Sequence, residues 1–243
     1  MRPRPIGTRS ALLLLAGLVG LGGAGTASAD VLYSPVVEDG EKAVEWRSTL
    51  RSTGEEEHKL EFEYSPTPWW RAELLTTADR EPDAARRWTE VSFENVFALN
   101  PQGRDLVDLG ALVELSHGLT AGSGYGLEVG LLAEHSTPRT VVTVNVSAER
   151  ELTAGAAADL VLAGRWRWRL GPRLEPGLEY HADLGSINHM GSVDRQRHSA
   201  GPSVLGRFAL PGGTLRYEAA WVVGLTHGAA ASTARLQLEW EFR

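Results

Sequence analysis

From Lys42 to the C-terminus, apolar and polar residues alternate in short runs. Leu236, Leu238, Trp240 and Phe242 alternate with Arg235, Gln237, Glu239 and Glu241, and Leu60, Phe62 and Tyr64 with Lys59, Glu61 and Glu63. The same holds for Leu162, Trp166 and Trp168 against Arg165, Arg167 and Arg169, and for Val142, Val144 and Val146 against Thr143, Asn145 and Ser147. A period of two puts one class on each face of an extended strand, whereas helical spacing would mix the classes around the axis. About twelve such segments are predicted, an even number, as single-chain bacterial β-barrels have. They span 42–52, 58–65, 69–78, 88–99, 105–116, 125–135, 140–149, 159–170, 173–184, 199–210, 214–226 and 233–243.

The connections sharpen the prediction. Every second one is short and contains proline: Ser65-Pro66-Thr67-Pro68, Asn100-Pro101-Gln102-Gly103, Ser136-Thr137-Pro138-Arg139, Gly171-Pro172 and Pro211-Gly212-Gly213. Proline fixes φ and glycine permits positive φ, so these read as tight turns. The intervening connections, 52–57, 79–87, 117–124, 150–158, 187–198 and 227–232, are mostly longer and polar or small. Short turns on one rim and long loops on the other are the habit of an outer-membrane barrel, and an even strand number puts both termini on the short-turn rim. Tyr64, Trp70, Phe97, Trp168, Tyr217, Trp240 and Phe242 all fall near that rim, where amphipathic rings suit a membrane interface. The expected fold is therefore all-β: a closed antiparallel up-and-down transmembrane barrel over residues 42–243.

Alternation alone does not say which face points inward. About twelve strands enclose more space than the roughly eight that side chains can fill, so a polar lumen with an apolar exterior is the consistent arrangement. The lumen face would then carry Glu45, Arg47, Glu61, Glu63, Arg71, Glu73, Glu90, Glu94, Asp108, Glu114, Glu128, Arg165, Arg167, Arg169, Glu175, Glu179, Arg207, Arg216, Glu218 and Glu239. Acids gather on the second, fourth, fifth and sixth segments, and Arg165, Arg167 and Arg169 form a basic ladder on the eighth. Opposed acidic and basic walls would steer charged solutes as pore-lining charges do. Salt-bridged across the interior, the same groups would instead plug it.

The N-terminus carries a secretory signal: Arg2, Arg4 and Arg9, an apolar run over 11–20, then Ala27-Ser28-Ala29. Residues 1–29 are expected to be cleaved, leaving Asp30 first and 30–41 as a periplasmic lead segment, with entry into the lumen as a plug the open alternative. The apolar run is shorter than the roughly 20 residues a spanning helix needs. The chain has 243 residues, no cysteine and a net charge of −7, which excludes disulfides and thiolate chemistry. No basic run dominates, so no nucleic-acid partner is expected.

Tyr33-Ser34-Pro35, Gly40-Glu41, Glu45-Trp46-Arg47, Pro68-Trp69-Trp70, Gly201-Pro202, Arg216-Tyr217-Glu218 and Leu238-Glu239-Trp240-Glu241-Phe242, in that order, resemble a family of proteobacterial outer-membrane barrel proteins with no established activity. The resemblance runs over most of the mature chain and implies fold and Gram-negative outer-membrane location only. In such barrels the assembly machinery reads a terminal aromatic on the last strand. Here Phe242 is followed by Arg243.

Chemistry-bearing motifs are sparse. His181, His189, His198, His227, His58 and His117 are expected on or near the long-loop rim, where His181 and Asp183 share a face, but the spacing matches no metal motif. A lipid hydrolase centred on His198-Ser199-Ala200-Gly201-Pro202-Ser203 is disfavoured, because His198 differs in parity from both Ser199 and Ser203. Gly122-Ser123-Gly124-Tyr125-Gly126 joins two strands and is no phosphate loop. No catalytic residue, metal or cofactor is expected. The expected partners are outer-membrane lipid, the barrel assembly machinery and a small solute. The leading reading is a passive porin-like channel, with a closed structural or interaction barrel as the alternative.

Overall fold

The computed structural model describes residues 32–242. The expected signal peptide and Asp30 terminus, and Arg243, lie outside the described residues. Twelve strands follow one another: β1 (Lys42–Arg51), β2 (Glu56–Thr67), β3 (Trp70–Arg80), β4 (Arg87–Ala98), β5 (Asp108–Gly118), β6 (Tyr125–Ser136), β7 (Thr140–Glu151), β8 (Asp159–Trp168), β9 (Glu175–Ser186), β10 (Arg197–Leu210), β11 (Gly213–Gly224) and β12 (Ser232–Phe242). Each pairs antiparallel with its neighbours in sequence, and β12 closes on β1 through pairs such as Val44 with Trp240. Val44 pairs on its other side with Phe62. The barrel is thus up-and-down, with the start of β1 and the end of β12 at one rim, called here the lower rim.

Alternation decides orientation. Phe62, Leu74, Phe93, Leu115, Leu131, Val144, Leu178, Leu236 and Leu238 stand exposed on the outer surface, while their neighbours in each strand are buried inside. Aromatics fringe the outside at both ends. At the lower rim Trp69 stacks on Trp70 and Phe97, Phe208 stacks on Tyr217, Trp166 and Trp168 meet with tilted rings, and Lys42 Nζ lies over the Tyr64 ring. Near the upper rim Trp88, Tyr125 and Trp221 are exposed, a second fringe that the sequence reading did not single out.

The expected alternation of loop lengths holds only as a tendency. The lower-rim connection 99–107 is longer than the upper-rim connection 52–55, because β5 begins at Asp108 rather than near residue 105. Asn100 organises that loop: its amide donates to Asp105 and to the Val107 carbonyl, both at 2.9 Å, and accepts from the Leu109 N–H. Asp105 is thereby held in the loop rather than in the strand.

The lead segment is assigned from sequence to the periplasm, with a lumenal plug as the open alternative. Residues 32–37 instead lie inside the barrel, every one of them buried. Tyr33 and Val37 pack on inward-facing Val96, Leu112 and Leu132, and Leu32 packs on Ala163 and Leu205. The physical reason is volume: twelve strands enclose more space than their own side chains fill, and an apolar segment buries surface there that water would otherwise contact. The chain then leaves the lumen through the turn before Glu41 and enters β1.

Candidate functional site

The charged residues assigned from sequence to the lumen are buried or partly buried, on the strand face opposite the exposed apolar side chains, save Arg169, which follows the end of β8. Glu45, Arg47, Glu61, Arg71, Glu73, Glu94, Asp108, Glu128, Arg165, Arg167, Glu175, Glu179, Glu218 and Glu239 are buried, and Glu63, Glu90, Glu114, Arg169, Arg207 and Arg216 are partly so. Two of them serve the rim. Asp108 accepts a hydrogen bond from the Gly103 N–H at 2.6 Å, and Arg169 donates to the Thr137 carbonyl at 2.6 Å.

Register arranges the acids in a way that parity alone does not reveal. Glu63 pairs directly with Glu73, Glu73 with Glu94, Glu94 with Glu114, Glu114 with Glu128, and Glu128 with Glu149. Glu63 sits near the lower end of β2 and Glu149 near the upper end of β7, so this ladder climbs the wall from one rim toward the other. A shorter row runs Glu61, Glu45, Glu239 across β2, β1 and β12.

Cations meet the lower acids. Arg47 pairs with Glu45 and Glu61, and Arg71 pairs with Glu73 and approaches Glu63 at 3.7 Å. On the far wall, Arg165 donates to Glu218 at 2.6 Å and lies 3.4 Å from Glu179, while Arg235 pairs with Glu179 and contacts His181 at 2.9 Å. Arg167 donates to Glu175 at 2.8 Å. Arg165 and Arg167 of the expected basic ladder are therefore tied to acids on β9 and β11, while Arg169 is taken up by the rim.

The N-terminal segment is held by the same wall. The Tyr33 N–H donates to Asn145 Oδ1 at 2.5 Å, and the Asn145 amide donates back to the Tyr33 carbonyl at 2.9 Å. The Tyr33 hydroxyl donates to Glu94 at 2.6 Å, Ser34 to Glu134 at 3.2 Å, and Arg71 to the Val36 carbonyl at 3.4 Å. Gly110 makes room for Pro35, since a Cβ there would stand 2.7 Å from the proline Cβ.

Above this segment the lumen opens into a vestibule of about 600 Å³ beneath the upper loops, lined by Glu57, Lys59, Asp79, Glu90, Glu114, Glu128 and the 118–126 and 149–153 stretches. Below it, between Tyr33, Leu112, Glu128 and Asn145, a void of only about 10 Å³ remains. That is at most one water molecule. Residues 32–37 occupy the lumen beneath the vestibule.

At the lower rim Glu41, Glu239 and Glu241 converge, their carboxylate oxygens within 4.8 Å of one another. Arg216 pairs with Glu241, at 3.7 Å from Glu41 and 4.0 Å from Glu239. Burial pushes the Glu41 carboxyl up to about 8 against the pull of Arg216, and Glu241 and Glu239 add to the rise.

Not all of the histidines expected on or near the upper rim lie there. His181 is buried in the lumen beside Glu179, and Asp183 engages Arg197 instead. His198 meets the Tyr180 hydroxyl at 2.6 Å through Nδ1 and Gln196 at 2.8 Å through Nε2. Ser203 is buried at a strand position of opposite parity to His198, so the two stand on opposite faces of the wall and form no pair.

No protein-family model and no curated protein matches the chain. Among solved structures, it is similar to the KdgM porin (TM-score 0.57, 9% identity, covering 83% of this chain and 99% of that one) and to the NanC porin (0.56, 9%, 82% and 99%). It is also similar to the translocator domain of the autotransporter NalP from Neisseria meningitidis (0.51, 12%, 85% and 89%). At these identities the likeness is one of fold: a closed antiparallel barrel of the outer-membrane kind.

Proposed function

We propose that the protein is an outer-membrane channel for small cationic or polar solutes, with its pore closed in this conformation by residues 32–37. The apolar outer surface supports the membrane setting. Leucines, valines and phenylalanines cover the wall between two aromatic fringes, and strands of 10–14 residues reach across a bilayer when tilted. Inverting the barrel would turn the glutamates and arginines to lipid, at about 2–4 kcal/mol for each Arg near the midplane. In that setting the lower rim faces the periplasm and β12, ending in Trp240 and Phe242, is the strand the assembly machinery engages.

The acid ladder carries the channel reading. Like charges directly opposite on adjacent strands destabilise a sheet. An interior selected for stability alone would alternate signs, yet six glutamates follow one another in register across six strands. Such a row lowers the barrier for cations along the wall, and the acidic vestibule concentrates them at its upper end. The two porins of similar fold support a channel role.

The buried segment favours a second reading, a permanently closed barrel whose upper loops bind partners. Planar-bilayer recording separates the two. The wild-type chain is expected to show rare openings, and the Tyr33→Ala/Asn145→Ala variant frequent, cation-preferring ones. Absence of unitary conductance from both, with the barrel folded, would refute the channel and leave the closed barrel.

A further inference from the structure

We propose that Glu41, Glu239 and Glu241 form a binding site for a hard divalent cation, Ca²⁺ in kind, that staples the entry of β1 to the last strand at the lower rim.

Three observations converge. The first is spacing: carboxylate oxygens from all three residues lie within 4.8 Å of one another. Two oxygens on opposite sides of one Ca²⁺, each at 2.3–2.6 Å, are separated by about 5 Å, so one ion reaches all three without rearranging the backbone.

The second is an unmet need. Glu239 is 2% exposed, and neither of its carboxylate oxygens has a hydrogen-bond partner. Arg216 Nε stands 4.0 Å from it, beyond hydrogen-bonding reach, while Nη2 of the same guanidinium is committed to Glu241. An ionised carboxylate buried without partners is costly, and carboxylates that face each other need a proton or a cation between them.

The third is local charge. Glu38, Glu41, Glu239 and Glu241 surround a single Arg216, and Glu63 and Arg71 behind them add one charge of each sign. The ionised cluster therefore carries an excess of three negative charges, of which a divalent cation offsets two. Glu41 and Glu241 are only partly buried at the rim, which leaves an entry path. Oxygen-only donors in an irregular arrangement suit Ca²⁺ better than Mg²⁺, which demands a near-octahedral shell.

Geometry gives the site a consequence. Glu41 lies where the N-terminal segment leaves the lumen, and its carbonyl accepts from the Ser65 N–H at 2.9 Å. Glu239 and Glu241 lie on β12 beside the seam that closes the barrel, opposite Glu45 and Ala43 of β1. A bound ion therefore ties the segment's exit to the closing seam, whether or not the pore conducts.

The test is calorimetric titration of Ca²⁺ into the chelator-treated, folded full chain in detergent at about pH 8.5, where the ligands lose their protons more readily. One saturable site is expected in the wild type. Glu239→Gln and Glu41→Gln should each weaken binding at least tenfold, and Glu114→Gln in the vestibule should leave it unchanged. Heat-modifiable gel migration checks that each variant is folded, and Glu41→Gln, outside the strands, keeps the test readable should Glu239→Gln fold poorly. No saturable wild-type site, binding indifferent to both rim variants, or loss through Glu114→Gln alone would overturn the proposal.

Discussion

The docking of residues 32–37 rests on few contacts, and Asn145→Ala removes a defined part of them. The Asn145 side chain accepts from the Tyr33 N–H at 2.5 Å and donates to the Tyr33 carbonyl at 2.9 Å, gripping both polar groups of one peptide-linked residue. Each such bond stabilises by about 1 kcal/mol net, and a backbone group left dry costs about 1–3 kcal/mol. Truncation should therefore weaken docking by about 2–4 kcal/mol, since the void beside Tyr33 admits at most one rescuing water. At about 1.4 kcal/mol per factor of ten, the undocked population rises roughly 30- to 900-fold. Hydrogen–deuterium exchange by mass spectrometry reads this directly: amides of 32–37 should exchange faster by that factor, while the strand peptides stay as protected as before. Gly110→Ala gives the same readout without touching a hydrogen bond, because the added methyl must displace Pro35. If Asn145→Ala and Gly110→Ala both left the exchange of 32–37 at the wild-type rate, the segment would not be held by these contacts. If the wild-type segment already exchanged like free chain, it would not be docked at all.

Three further outcomes test other parts of the molecule. Arg165→Met should destabilise the barrel by about 3–5 kcal/mol in urea titrations, because Glu218 and Glu179 lose a buried partner, and adding Glu218→Gln should restore part of the loss. Leu131→Arg, at the middle of β6 and 66% exposed on the outer surface, should cost about 2–4 kcal/mol for folding into bilayers. Leu106→Arg, 78% exposed in the 99–107 connection, should be nearly neutral there. His227 Nδ1–H donates to Asp194 at 2.7 Å between the last two upper loops, and that hydrogen bond, together with the Asp194 charge, raises its pKa above the ordinary histidine value. Because the folded value is the raised one, the contact is fully present below the ordinary range and is lost as pH rises through the raised value. An NMR titration should show this, and Asp194→Asn should return His227 toward the ordinary value.

Much of the fold was legible because a strand writes its two faces into the sequence. Alternation along Leu236–Phe242 or Lys59–Tyr64 fixed which side chains turn inward, and the structure places Glu45, Glu94 and Arg165 accordingly. Register was not legible. That Glu94 sits opposite Glu73 on one side and Glu114 on the other depends on shear around a closed barrel, which no single strand encodes. Proline in the 99–107 connection marked a turn but not its length, because the Asn100 hydrogen bonds that set β5's start join residues up to nine apart.

Whether residues 30–41 enter the lumen stayed open from the sequence, although a signal for it was present. Val96, Leu112, Leu132, Val161 and Leu205 occupy inward positions that polar parity would give to water-seeking residues. Apolar side chains on the lumen face of a wide barrel have no reason to be there unless something apolar packs on them. The one unassigned stretch with matching character was Leu32, Tyr33, Val36 and Val37. The interior is thus divided by chemistry. Where the wall turns greasy, at Val96, Leu112, Leu132, Ala163 and Leu205, the N-terminal segment packs on it. Where the wall stays charged, ion pairs fill it on one side and the vestibule on the other. If the segment left, the greasy positions would face water and the acid ladder would line an open path. The same residues that make the closed state favourable therefore set the free-energy difference that opening must overcome, and Asn145 and Gly110 are where that difference is adjustable without altering a single lumen charge.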